Sequence, residues 1–331
     1  MTTTATQPVP GGDLVSARRR RAGRWTFDKA SFMAVFLGLP LVIYLVFVVS
    51  PFAQAVYYSL TDWSGFSPTQ NFIGLRNFER VFTDDIFLKS LRNNIVLAIV
   101  LPVVTLTLSF ALASLITVGG SMRGQTRGLK ASGFYRTVSF FPYVIPAIVI
   151  GIMWSQIYDP SNGLLNGILT ALGFEMFESF PWLGDERTAM AATIFVIVWS
   201  MVGFYMVLFV AAIKDVPAET FEAARIDGAG RFRIAISITL PLIRDNVQTA
   251  WIYLGILALD AFVYMAALNP GGGPNNSTLV MAQQLFTTAF TKGQFGLACA
   301  MGVVLAGVTL LFAALVFAVS RLLGGKDDGR R

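Results

Sequence analysis

A carboxylate inside an apolar run is the first residue that needs an explanation: Asp260 sits in I-Y-L-G-I-L-A-L-D-A-F-V-Y-M-A-A-L. An acid in such a setting is expensive in lipid and belongs against a bundle interior or a water-filled cavity. Its chemistry would be that of a hydrogen-bond acceptor, toward a passing solute or toward a polar residue of a neighbouring helix. Gln156, Trp199, Tyr205, Tyr253 and Tyr264 are spread through other apolar stretches and could share that task. Aromatic rings stack on the apolar faces of sugars while amides and hydroxyls take polar partners, so this mixture suits a carbohydrate. The same rings also suit plain helix packing, and both readings stand.

The remaining inventory excludes much. There is no histidine, and the single cysteine, Cys299, lies in an apolar segment and reads as a small buried hydrophobe. A Ser-His-Asp triad, a Cys-His pair, a disulfide framework and a Cys/His zinc site are therefore ruled out. No paired carboxylates gather at one membrane face, and no G-x-x-x-x-G-K-[ST] occurs to cradle a nucleotide. The chain is expected to be no enzyme and to carry no cofactor.

The elements that would position these residues are membrane helices. Of 331 residues, 55% are hydrophobic and only 13% charged, too few polar groups to cover a water-soluble fold of this size. Charged residues are missing between Lys29 and Asp62, Arg92 and Arg123, Arg136 and Asp159, Arg187 and Lys214, and Lys292 and Arg321. Each gap can hold the roughly 20 apolar residues that cross a bilayer. The reading is an all-α integral membrane protein with six transmembrane helices: 31–50 extending to about 58, 94–117, 137–157, 190–213, 247–268 and 297–320. Only Asp260 interrupts the fifth. Of the 25 Lys and Arg, 19 fall in the amino tail, 118–136, 214–246 and the carboxyl tail. Basic residues stay on the cytoplasmic side, so this alternation places both termini there. The basic residues share no face, which excludes a nucleic-acid partner.

By this division residues 1–29 form a basic, disordered cytoplasmic tail, 30–323 the transmembrane domain, and 324–331 a second cytoplasmic tail. The Arg cluster followed by an apolar run resembles a signal peptide, but the run far exceeds a 7–15-residue core and reads as a retained span. Trp63, Phe66, Phe72, Phe78, Phe82, Phe177, Phe180 and Trp182 lie in the extracytoplasmic segments, where they are expected to float loops at the membrane interface.

The cytoplasmic loop at 214–245 contains K-D-V-P-A-E-T-F-E-A-A-R-I-D-G-A-G-R-F-R-I-A-I-S-I-T-L-P-L-I from Lys214 to Ile243. Pro217 fits the first turn of a helix with Glu219 opposing the helix dipole, and Glu222 can pair with Arg225. Gly228 and Gly230 stop that helix, and a second one runs to Pro241. The resulting elbow offers a close-approach surface for a groove on another protein, or an amphipathic helix resting on lipid headgroups.

The string E-A-A-R-I-D-G-A-G followed by I-T-L-P resembles the signature loop of binding-protein-dependent ABC importer permeases of the sugar-uptake subfamily. Y-Y-S-L-T-D-W at Tyr57 to Trp63, F-I-G-L-R-N-F at Phe72 to Phe78 and G-G-G-P at Gly271 to Pro274 are similar to the first permease subunit of maltose-type systems. The likeness covers nearly the whole chain from about residue 30. Asn269 and Pro270 precede the Gly-rich turn where the family usually has a Thr. The resemblance implies the ABC importer permease fold in a bacterial cell membrane, and a coupling loop of Glu219, Glu222, Ala223, Ala224, Asp227, Gly228, Leu240 and Pro241. In it Glu222, Ala223 and Ala224 would face a cleft on an ATPase subunit, and Gly228 would make the turn. It further implies a second permease subunit, a pair of ATPase subunits, an extracytoplasmic solute-binding protein and a sugar or oligosaccharide substrate. The similarity points toward amino sugars or chitooligosaccharides, with glycerol phosphate as the alternative solute. A stand-alone secondary transporter is the other reading, poorly served by one acid and no histidine.

Overall fold

The computed structural model describes residues 31–118 and 132–324. The tail expected at 1–29, the carboxyl tail beyond Gly324 and most of the basic segment 118–136 lie outside the described residues. The chain divides into two units at Gln54, and each is a compact body of its own.

Helix α1 (Ser31–Tyr58) supplies the first unit and continues a few residues into the second. It contains two π-helical turns, Ala34–Gly38 and Leu45–Val49, which immediately precede Leu39-Pro40 and Ser50-Pro51. A third, Ile234–Thr239, precedes Leu240-Pro241. The repetition has a physical cause. A proline inside a helix lacks an N–H and pushes on the carbonyl four residues back, and a wider turn upstream relieves that contact.

The second unit is organised around α7 (Ala189–Lys214), which packs against α3 (Asp85–Val118) and α4 (Ser132–Val144). A helix apolar on every side is one that others surround. Val196, Ile197, Met206 and Phe209 of α7 are accordingly fully buried. Gly203 permits the close approach of α4, because a Cβ there would run into the Ser139 carbonyl and the Phe140 backbone. Ser109 of α3 donates to the Val202 carbonyl at 2.8 Å, so a buried hydroxyl ties the two long helices together.

Among the described residues four helices are long and apolar enough to cross a membrane, and two bent helix pairs bring the number to the expected six if each pair is one span. The expected span 137–157 is α4 followed by α5 (Ala147–Ile157), bent by 95°. Pro146 causes this break. It removes a donor and biases Ile145 away from helical backbone, and it stands at φ −55°, ψ 137° as the residue that caps α5. The expected span 247–268 is α10 (Arg244–Leu259) and α11 (Phe262–Leu268), bent by 47° at Asp260 and Ala261. No proline or glycine marks that second break. The last span is α13 (Phe295–Gly324), where Cys299 is half-buried rather than enclosed.

The aromatic segments expected outside the cytoplasm do more than float at an interface. Thr61 and Phe72 form an isolated antiparallel bridge, and the buried Asn77 of α2 (Arg76–Thr83) donates to the carbonyls of Ser59 (2.9 Å) and Thr61 (2.8 Å). Trp63 stacks on Tyr58 at 4.3 Å. Trp182 stacks on Phe177 at 5.3 Å and donates its indole N–H to Asn166 at 2.6 Å on the short helix α6 (Leu164–Ala171). Phe66 and Phe72 do remain exposed.

Candidate functional site

Two regions collect the residues singled out by the sequence. The first is the elbow between α7 and α10. Pro217, extended at φ −53°, ψ 133°, caps α8 (Ala218–Ile226) from just outside it instead of lying in its first turn. The helix ends in a pair of carbonyl-satisfying bonds: Gly228 N–H to the Arg225 carbonyl at 3.0 Å, and Ala229 N–H to the Ala224 carbonyl at 2.9 Å. This closure needs a left-handed residue at position 228, and Gly228 has φ +77°. Gly230, at φ −71°, ψ 164°, instead starts α9 (231–242), whose last turn holds half-buried Leu240 and exposed Pro241.

The faces of α8 differ from the sequence expectation at one residue. Phe221 and Ala224 turn inward and join the core, with Ala224 only 5% exposed. Ala224 therefore cannot present itself to a cleft on another protein, because helical geometry puts it on the same face as Phe221, three residues earlier. Glu219, Glu222, Ala223 and Asp227 stay exposed. Two apolar side chains of the same elbow, to which the sequence assigned no contact role, are also exposed: Ile226 (86%) and Phe232 (81%). Glu222, exposed, and Arg225, half-buried, form no ion pair with each other.

The second region is the α10–α11 break. Asp260 is exposed there, and among the described residues its carboxylate has no hydrogen-bond or ion-pair partner. The packing alternative finds no neighbour for this acid among the described residues of this chain. Tyr253 and Gln156 are also exposed, and Trp199 is half-buried in contact with Trp154, their ring centres 5.4 Å apart. Tyr205 and Tyr264 are buried, and the Tyr264 hydroxyl bonds Ser200 at 3.0 Å. The six residues proposed from sequence therefore split into three exposed groups, one half-buried ring and two buried tyrosines.

Polar residues of α3 hold one end of this region. Asn93 donates to the carbonyls of Leu279 (2.9 Å) and Asn276 (3.2 Å), while Lys89 reaches the Asn275 carbonyl at 2.5 Å and Glu186 at 3.5 Å. The loop they clamp is unusual in its backbone: Gly271, Gly272, Gly273, Asn275 and Asn276 all have positive φ. Asn269 donates to Thr193 of α7 at 2.7 Å and anchors the loop at its start. Sequence reasoning passed over Asn93 and Asn94, since nothing local in R-N-N-I distinguishes a clamp from a solvated helix end.

An all-helical chain with four to six candidate spans, a polar break between two of its helices and an exposed elbow on a connecting loop has the make-up of a membrane transport subunit. The chain belongs to the family described as binding-protein-dependent transport system inner membrane component, whose profile matches residues 116–325. It is 59% identical over 325 residues to the diacetylchitobiose uptake system permease protein NgcF of Streptomyces coelicolor, covering 98% of this chain and 91% of that one. It is 32% identical over 270 residues to the multiple sugar-binding transport system permease protein MsmF of Streptococcus mutans, covering 82% and 88%. In fold it matches a chain of the bacterial alginate ABC transporter solved with its pentasaccharide-bound periplasmic protein, with TM-score 0.74, 20% identity, and 89% and 96% coverage. The protein is thus a multi-pass permease subunit of an ABC importer in the cell membrane, not an enzyme and not a stand-alone carrier. As part of a binding-protein-dependent system it works with a solute-binding protein, ATPase subunits and a second permease.

Proposed function

We propose that this permease forms half of the translocation pathway for diacetylchitobiose or a close chitooligosaccharide. The observation that carries this reading is the near full-length likeness to the Streptomyces coelicolor diacetylchitobiose permease. The polar break agrees with it. An exposed, unpaired carboxylate at Asp260 accepts hydrogen bonds from hydroxyl and acetamido N–H groups of a neutral sugar and repels an anionic solute such as glycerol phosphate. Tyr253, Gln156 and Trp199 complete the wall, backed by Tyr205 and Tyr264.

In the same reading the elbow lies on the cytoplasmic face, as do both termini, and it docks into an ATPase subunit. Glu219, Glu222, Ala223 and Asp227 form the contact, Gly228 sets its closing turn, and Leu240 and Pro241 fix the following segment. Ala224 acts from behind by seating α8 on the bundle. ATPase closure pushes the elbow and rocks the spans between outward-open and inward-open states. Uptake of radiolabelled diacetylchitobiose by cells with and without this chain tests the substrate. Chain-dependent uptake that unlabelled chitooligosaccharide suppresses and glycerol phosphate does not is the expected result; the reverse pattern of competition contradicts the proposal.

A further inference from the structure

A helix broken inside a membrane leaves carbonyls without donors, and lipid supplies none. In an unbroken helix the Ala258 and Leu259 carbonyls would take the N–H groups of residues 262 and 263, but α10 stops at Leu259 and α11 begins only at Phe262. The Asn94 side chain, fully buried on α3, fills the gap: its amide N–H group donates to the Leu259 carbonyl at 2.8 Å and to the Ala258 carbonyl at 3.5 Å. Its amide oxygen accepts the backbone N–H of Met281 at 2.7 Å. Met281 is the first residue of α12 (Met281–Phe286), where a helix N–H has no partner of its own. One side chain thus completes the end of one helix and the start of another.

We infer that Asn94 is a positioning residue for the transport pathway: it holds the α10–α11 break in the bend that presents Asp260, and it ties that bend to the start of α12. The inference rests on the reading of Asp260 as a pathway residue. Asn94 itself is buried and touches no solute. Asn93, its neighbour on α3, bonds only the Asn276 and Leu279 carbonyls and so clamps the Gly-rich loop without touching the break. The two adjacent asparagines divide the work, which provides an internal control.

The test uses the assembled importer in proteoliposomes, with Cys299→Ser and Asp260→Cys, and measures labelling of the thiol at 260 by a water-soluble maleimide. Asn94→Leu keeps the number and branching of side-chain heavy atoms but strands two carbonyls and one N–H, and should shift the labelling rate by about tenfold, since a buried polar group that loses its partner is expensive. Asn94→Asp keeps an acceptor for Met281 and loses both donors to the break, so it should shift labelling in the same direction and decides the matter if the Leu variant does not assemble. Asn93→Leu should leave labelling at 260 unchanged. With Asp260 in place, Asn94→Asp should raise the diacetylchitobiose concentration for half-maximal uptake more than it lowers the maximal rate at matched abundance. Labelling within twofold of the parent in the Asn94 variants overturns the inference. If labelling shifts while neither Asn94→Asp nor Asp260→Asn moves half-saturation, Asn94 still sets the bend and the sugar route through Asp260 is what fails.

Discussion

The elbow at α8 and the α10–α11 break are built by opposite rules. The elbow is specified within a dozen residues: Pro217 starts α8, Gly228 closes it in a left-handed turn, and Phe221 and Ala224 seat it on the bundle. The break has no proline or glycine of its own, and the side chain that satisfies it comes from 165 residues earlier in the chain. A surface offered to another protein stands in water, where local turn chemistry and water satisfy the backbone. A bend inside the bilayer has no such solvent, so its freed carbonyls need a partner brought by the fold.

The largest effect should come from the elbow's outward face. Ala223→Arg puts a long charged side chain where close approach is required, and uptake should fall to background while the protein stays inserted and abundant. Ala224→Arg should act differently, because it drives a guanidinium into the core beside Phe221, and loss of membrane abundance is the expected readout. Normal uptake by well-expressed Ala223→Arg would remove docking from the account.

A smaller effect separates the two glycines. Left-handed backbone costs a residue with a Cβ about 1–2 kcal/mol, so Gly228→Val should cut uptake roughly tenfold at matched abundance. Gly230→Val, at an ordinary extended φ, should change it little. The reverse order would show that the closure of α8 is not what the elbow depends on.

Smaller again is the packing contribution behind the break. Tyr264→Phe removes the hydrogen bond to Ser200 and should lower thermal stability by about 0.5–1.5 kcal/mol without altering sugar preference. A changed preference would move Tyr264 from the supporting layer into the pathway.

The least effect is expected at Asp62, outside the spans, where the side-chain amide and then the backbone N–H of Asn71 hold the carboxyl below its ordinary pKa. A lowered folded-state pKa contributes stability above the unfolded value and loses it as pH falls through the folded value. Asp62→Asn should therefore melt slightly below the parent above about pH 5, converge with it in more acid conditions, and leave uptake unchanged throughout.

How much could be read in the sequence follows the same division. The six spans, the elbow and its closing glycine are local in origin: charge-free gaps, an E-A-A run and a Gly at a helix end. The 95° bend at Pro146 carries a local mark too, and the proline went unweighed because the segment's apolarity masked it. The bend at Asp260 carries none. The acid drew attention because a charge in lipid is costly, yet the break beside it depends on Asn94, which sits among ordinary helix-forming neighbours. Ala224 shows the limit inside a motif. The E-A-A letters alone do not say which alanine faces out, and the position of Phe221 three residues earlier decides it.

The central claim is that the broken helix presents Asp260 to the sugar, and uptake kinetics of Asp260→Asn test it most directly. The substitution keeps size and one acceptor while removing the charge. At matched membrane abundance, the account predicts a several-fold higher diacetylchitobiose concentration for half-maximal uptake or a changed sugar preference, with thermal stability unaltered. An unchanged half-saturation and preference, accompanied by a lower melting temperature, would contradict it and make Asp260 a packing residue.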